Sequence, residues 1–463
     1  MKSLIRILIA SLVLIISLSS CNNLSDSDNV KETRFIVSTI KGEILGYDET
    51  DDGLVITIDD YHTDEDKRVI INKGSNAFSD NDPIKGIIDE RILGAVVCVQ
   101  SEHPEDFDIN AVYPVTTIGL FVDEQMIMKD YSTQTFSMLE ANDYIRPLGR
   151  TVMLGTALTC DWTAAGVEFK LLCKGDISID ITASNSSTSF LLKIDGVTTK
   201  NFAVTKGKGS YVVASGLEPG IHTIRIVSEE AYGANATIDS ITFIGEILKA
   251  DEGSAYIEVV GDSITCGSGL GIDGSDGTMA YSYIALDDIN ADYSICSNGG
   301  MGIAYAGSDT NIFSKVYPYQ NLKRDKTLYA PTRTPDLIVV NLHTNDNWQW
   351  YSNTKNAENE KYNYDHFDTM FDDMINTFTK LYGKKIPMLF VFGCMANELY
   401  ENATIRSKEL IQLKYIPDGY DIKTVTLTTN RAGASSHPNK EGAEIQGAEL
   451  AEFIKKNYPH FFN

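Results

Sequence analysis

The sequence predicts a multidomain protein in which β-rich regions, one of them a jelly-roll-like β-sandwich, precede a three-layer α/β domain with a five-stranded parallel sheet. Two observations carry this expectation. From residue 33 to about 248, short apolar runs recur between Asp, Asn, Gly and Pro turns, the pattern of strands in close succession. After Tyr256, apolar runs alternate with stretches of helical periodicity, the pattern of a parallel sheet covered by helices.

The chain opens with the charged segment Met1-Lys2-Ser3-Leu4-Ile5-Arg6, an apolar-biased run over 7–18, and then Ser19-Ser20-Cys21. That run is too short for a comfortable membrane span, so residues 1–20 read as an export signal. Leu18-Ser19-Ser20-Cys21 resembles a bacterial lipobox, which implies cleavage before Cys21 and lipidation of its thiol as a membrane anchor. Residues 21–32, polar and carrying Asp26 and Asp28, form a tether. The place this implies is the bacterial cell envelope, lipid-anchored at the outer membrane on its periplasmic or surface face.

With 64 acidic against 39 basic residues, the net charge of −25 argues against nucleic acid and against anionic substrates, which need clustered Lys and Arg; a neutral polysaccharide fits better. Beyond Cys21 six cysteines are scattered without a Cys-x-x-Cys pair, so neither a zinc site nor a dense disulfide framework is suggested. A Cys160–Cys173 bridge stays open. No metal and no cofactor is expected.

Residues 33–146 read as a β-rich accessory domain, with runs at 54–58, 68–71, 94–99 and 118–122. Its His62 and His103 read as lying in polar Asp/Glu-rich loops, solvated. Residues 150–248 follow the Pro147-Leu148-Gly149 break as the β-sandwich, with strands at 167–173, 177–182, 189–194, 211–215, 222–227 and 238–244. Asp195-Gly196 and Pro219-Gly220 supply turns, and Trp162 reads as core.

In residues 256–463 the expected strands are 256–260, 292–297, 336–342, 387–393 and 421–427, with helices over 279–289, 365–381 and 440–456. All strands of a parallel sheet end at one edge, so residues just past different strands converge there. Ser263 follows the first strand, Asn298-Gly299-Gly300-Met301-Gly302 the second, His343-Thr344-Asn345-Asp346 the third, and Ser436-His437-Pro438 the fifth. Those are parts for acyl transfer. Ser263 is the candidate nucleophile and His437 the base, since a hydroxyl needs a group to take its proton and imidazole suits neutral pH. The oxyanion would be held by the backbone amides of Ser263 and Gly300 and the Asn345 side chain.

Gly261-Asp262-Ser263-Ile264, Gly300-Met301-Gly302, Thr344-Asn345-Asp346 and His437-Pro438 resemble the blocks of the SGNH (GDSL-like) hydrolases. With the preceding sandwich and the Gly261-Asp262-Ser263-Ile264-Thr265-Cys266-Gly267-Ser268-Gly269 run, residues 150–463 resemble a family 2 carbohydrate esterase of the acetyl xylan esterase type. The resemblance implies removal of acetyl groups from polysaccharides such as xylan or glucomannan. Two positions depart from the family pattern. Ala434 stands where many members carry an Asp that orients the catalytic His, so the expected machinery is a Ser263–His437 dyad. His343 replaces the usual Gly of Gly-x-Asn-Asp and is a candidate substrate contact or a structural residue.

Trp348 and Trp350, next to the expected oxyanion hole, are candidates to stack on sugar rings or to cap the core. Asp346 reads as a loop anchor and His366 as exposed. The expected partner is an acetylated polysaccharide or oligosaccharide. Two other readings stay open: a glycan-binding protein on a silent hydrolase fold, and a lipase- or thioesterase-type SGNH hydrolase, although no long apolar channel is evident.

Overall fold

The computed structural model describes residues 35–61, 66–72, 96–104, 113–121, 132–185, 188–271, 274–306, 310–322, 326–353, 360–397 and 400–462. The expected signal segment, the tether, Cys21 and His62 lie outside them. The chain divides into two compact units, Met1–Tyr131 and Ser132–Asn463.

In the first unit, β1 (Phe35–Glu49), β2 (Gly53–Asp60), β3 (Asp66–Asn72), β4 (Val96–Pro104) and β5 (Tyr113–Phe121) close into a barrel of order β1-β2-β3-β5-β4. Closure needs β1 to pair with both β2 and β4, and its long span lets it do so. Ile44, Ile56, Ile58, Val69, Val97 and Val99 fill the interior. β1 is missing from the apolar runs read in the sequence because its Lys41, Gly42 and Glu43 break the pattern that marks the other strands.

The second unit starts at β6 (Thr133–Ser137), which pairs with the later strand β14, so residues 132–146 belong with the sandwich rather than with the accessory segment where the sequence reading put them. β7 (Arg146–Leu148), β8 (Met153–Leu154), β9 (Ala157–Thr159), β10 (Gly166–Ala183), β11 (Ser189–Ile194), β12 (Val197–Ala203), β13 (Gly207–Ser228) and β14 (Ala236–Leu248) complete one large antiparallel sheet. Register shifts around Cys173, Gly175 and Ile177 interrupt the long β10–β13 ladder, and such irregularities bend a strand. Phe169 and Leu171 on one side of that break and Ile179 and Ile181 on the other share one apolar core. Cys160 and Cys173 are both buried and neither is in a disulfide, so the bridge left open by the sequence is not formed.

The α/β part carries β15 (Tyr256–Gly261), β16 (Asp292–Ser297), β17 (Leu337–Asn341), β18 (Met388–Phe392) and β19 (Ile422–Thr426), all parallel, in the order β16-β15-β17-β18-β19. Side chains alternate across a strand, so each buried strand feeds two cores. Val339, Leu389 and Val391 pack on one face with residues of the helices Tyr281–Asp288 and Lys440–Asn457; Ile338, Val340, Met388 and Phe390 pack on the other with the helix Glu360–Tyr382. This is the expected three-layer arrangement.

Buried charge ties the sandwich to this sheet. Arg150, fully buried, donates to Glu258 at 3.1 Å and to the carbonyls of Tyr317 at 2.5 Å and Tyr319 at 3.0 Å, and stacks 4.1 Å from the Tyr329 ring. Glu258 lies in the middle of β15 and also accepts from the hydroxyls of Tyr317 and Tyr382. Arg146 bridges Glu168 of the sandwich and Asp292 at the start of β16. Together these contacts fix the sandwich against the strand that leads to Ser263 and against its neighbour β16.

Candidate active site

β15 ends at Gly261, and Thr265 turns back so closely beneath it that a Cβ at Gly261 would meet the Thr265 side chain at 1.9 Å. The next turn is closed by Asp262, whose Oδ1 accepts the Ile264 amide at 2.9 Å and whose carbonyl accepts that of Cys266. This sharp exit leaves Ser263 half-buried in the pocket at the strand's carboxyl end.

His437 arrives from the loop after β19. Its Nε2 lies 2.8 Å from Ser263 Oγ and its Nδ1 3.2 Å from the Ala434 carbonyl oxygen. No carboxylate touches the ring among the described residues, so a main-chain oxygen occupies the orienting position. Ser435 and Ser436, at φ of 54° and 61°, hold the left-handed conformation unusual for non-glycine residues, which turns the chain tightly enough for His437 to reach back to Ala434. Backbone strain of this kind persists where packing over-determines it, as the Gly433 amide bond to the His437 carbonyl does here at 2.8 Å.

Gly300 takes φ of 73°, which glycine adopts without penalty. The backbone N–H groups of Ser263 and Gly300 make no hydrogen bond among the described residues and are unspent donors. Asn345 Nδ2 donates to the Met301 carbonyl at 2.9 Å and, over a longer 3.2 Å, to Asp262 Oδ2. The next residue, Asp346, fixes the loop that carries Gly300: its carboxyl accepts the amides of Ile303, Ala304 and Tyr305, each at 2.8 Å. Burial pushes both Asp262 and Asp346 up to about 7 against the pull of those amides. Ser263, Gly300, Asn345 and His437 thus line a single cavity of about 560 Å³.

The other candidates fall differently. Trp350 is fully buried, packed on Tyr305, Tyr364 and Phe367, so it belongs to the core and not to a sugar platform. His343 is buried on Phe392 with neither ring nitrogen hydrogen-bonded; burial, aided by the Lys408 charge, pushes it down to about 3, so it stays neutral. Trp348 is 55 % exposed and stands edge-on to Tyr400. It lines a second cavity of about 360 Å³ that shares Asn345 and Ser435 with the first and adds Tyr400, Lys408 and Arg431. His366 is half-buried beside Tyr305 rather than exposed.

Sequence reasoning missed the helix His343–Asn353, which the Asn- and Gln-rich run disguised as a loop, and missed Tyr232, a sandwich residue lining the Ser263 cavity. No local signal marks Tyr232; only the packing of the sandwich on the sheet brings it there.

Residues 148–250 match the family model described as carbohydrate esterase 2 N-terminal, and residues 257–450 that described as GDSL-like lipase/acylhydrolase. No curated protein matches the chain. Among solved structures, an acetyl xylan esterase from the rumen bacterium Butyrivibrio proteoclasticus is 18% identical with a TM-score of 0.62, covering 72% of this chain and 100% of its own. A family two carbohydrate esterase from Cellvibrio japonicus gives 15% identity and a TM-score of 0.58 over 71% of this chain and 99% of its own. One from Clostridium thermocellum, in complex with cellohexaose, gives 19% and 0.57 over 68% and 99%. At these identities the likeness shows a shared fold.

Proposed function

We propose that the chain, whose residues 148–250 match the carbohydrate esterase 2 N-terminal model and 257–450 the GDSL-like lipase/acylhydrolase model, is a carbohydrate esterase that removes O-acetyl groups from a polysaccharide of the xylan or glucomannan type by serine catalysis. The observation that carries this reading is the 2.8 Å contact between His437 Nε2 and Ser263 Oγ, in one cavity with two unspent backbone amides.

In the reaction, Ser263 Oγ attacks the acetyl carbonyl carbon while His437 Nε2 takes its proton. The imidazolium keeps its Nδ1–H on the Ala434 carbonyl, which orients the ring. Negative charge builds on the former carbonyl oxygen and is met by the N–H groups of Ser263 and Gly300; Asn345 joins them by exchanging its longer bond to Asp262 for the oxyanion. The C–O bond to the sugar breaks, the sugar oxygen takes the proton from Nε2, and the acetyl group remains on Ser263. Water, deprotonated by the same nitrogen, then attacks the acetyl carbon; the bond from that carbon to Ser263 Oγ breaks, Oγ takes the proton back from Nε2, and acetate leaves.

The neighbouring cavity opens beside Ser435 and Ser436, on the His437 side, where the leaving sugar would be handed over. Trp348 and Tyr400 offer it aromatic faces. The lipobox-like Leu18-Ser19-Ser20-Cys21 supports a lipid-anchored protein of the bacterial envelope, outer membrane by preference, which would place the active site among extracytoplasmic polysaccharides.

The test is acetate release from acetylated xylan and acetylated glucomannan by the purified protein, beside Ser263→Ala. Release from either polymer that disappears in the variant supports the reading. No release from either, and none from an aryl acetate, would contradict it and favour a silent glycan-binding fold.

A further inference from the structure

We propose that Tyr232, carried by the sandwich, is the residue that restricts the acyl group of this esterase to acetyl, an inference that rests on the serine-esterase reading above. Three of the directions around the carbon attacked by Ser263 are already assigned. The nucleophile approaches from Oγ, the oxyanion faces the amides of Ser263 and Gly300, and the departing sugar oxygen must lie by His437 Nε2 to receive its proton. The acyl substituent is left the remaining direction, and we assign it to the side of the cavity lined by Tyr232, Ser268 and Gly299.

The residues of that wall are tied to one another. The Tyr232 ring lies against the Gly299 backbone so closely that a Cβ there would meet Cε1 at 2.8 Å. Its hydroxyl is 2.5 Å from Ser268 Oγ, and the Ser268 amide donates to the Ser263 carbonyl at 2.9 Å. The loop that bears Tyr232 is pinned just before it, at Glu229 and Ala231, and just after it, where the Ala234 amide donates to the Cys160 carbonyl at 2.9 Å. The Gly277 amide donates to the Glu229 carbonyl at 2.7 Å, and Thr163 Oγ1 bonds both the Ala231 carbonyl at 2.6 Å and Ser297 Oγ, at the end of β16, at 2.8 Å. A chain longer than acetyl would have to displace an aromatic ring held at both ends of its loop. The sandwich is thereby a part of the active site.

The test is the ratio of kcat/KM for 4-nitrophenyl butyrate to that for 4-nitrophenyl acetate. Each methylene accommodated or refused in a shaped pocket is worth about 10–200-fold. Tyr232→Ala should therefore raise the butyrate-to-acetate ratio by at least about tenfold. Tyr232→Phe, which keeps the ring and loses the hydroxyl with its bond to Ser268, should leave the ratio near the wild-type value. Tyr232→Leu, smaller but apolar, serves if the Ala variant does not fold and should raise the ratio in the same direction. An unchanged ratio in a folded Ala or Leu variant overturns the proposal, as does a ratio that rises equally in Tyr232→Phe. Absence of wild-type turnover on both esters would instead count against the esterase reading itself.

Discussion

His437 Nδ1 lies 3.2 Å from the carbonyl oxygen of Ala434, the residue three positions before it, where a carboxylate stands in many relatives of this fold. A peptide carbonyl accepts the ring N–H and fixes the tautomer, but it carries no full charge to stabilise imidazolium. Loss of the Asp from a triad that depends on it costs about 10⁴ in turnover. Here the fold is built without it, so Ala434→Asp should change kcat by less than about tenfold, measured on an aryl acetate. A gain approaching that 10⁴ would show that the carbonyl is a poor substitute.

The strained turn before His437 gives a second prediction. Ser435→Gly and Ser436→Gly relieve left-handed φ values and should hold or raise the thermal midpoint. They also free the segment that aims the imidazole, so kcat should fall several-fold while KM changes little. Lower stability with full kcat would contradict this.

Stability should respond to the buried acids and to His343 in opposite ways. Asp262, raised to about 7 by burial, holds in the fold a proton that the unfolded chain releases near pH 4, so its contribution to stability is lost as pH rises from about 4 to about 7. His343, depressed to about 3, stays neutral in the fold while the unfolded chain binds a proton below about 6.5, so its contribution is lost as pH falls from there. His343→Leu should thus narrow the loss of urea midpoint between pH 7 and pH 5. Asp262→Asn should flatten the change between pH 5 and pH 7. Variants that track the wild-type curve in parallel would disprove the respective assignment.

Arg150 and Glu258 form a fully buried ion pair between the sandwich and β15. Removing one partner leaves an uncompensated charge, so Glu258→Gln or Arg150→Leu should destabilise the protein by about 3–5 kcal/mol in urea unfolding. The double replacement Arg150→Leu with Glu258→Leu should cost less than the sum of the two single ones.

The strands of the parallel sheet were legible as apolar-rich runs ending in a turn, plainest in Leu337-Ile338-Val339-Val340 and Met388-Leu389-Phe390-Val391-Phe392. Ser263, Gly300, Asn345 and His437 could be named together because a parallel sheet sends the ends of its strands to one edge. Other features depend on packing that no local pattern records. Trp350 and Trp348 are two residues apart, and only the helix they share decides that one is buried and the other exposed. Tyr232 reaches the site through buried contacts such as Thr163 with Ser297, and the strand β6 is drawn into the sandwich by its pairing with β14.

The central claim, that Ser263 carries the acyl group, is tested most directly by quenching the protein with acid during turnover of an aryl acetate and mapping the modified peptide by mass spectrometry. One acetyl group is expected on the peptide containing Ser263, absent from Ser263→Ala and chased away on longer incubation with water alone. Turnover with no acetyl on that peptide at any quench time, and with full rate retained in Ser263→Ala, would contradict it.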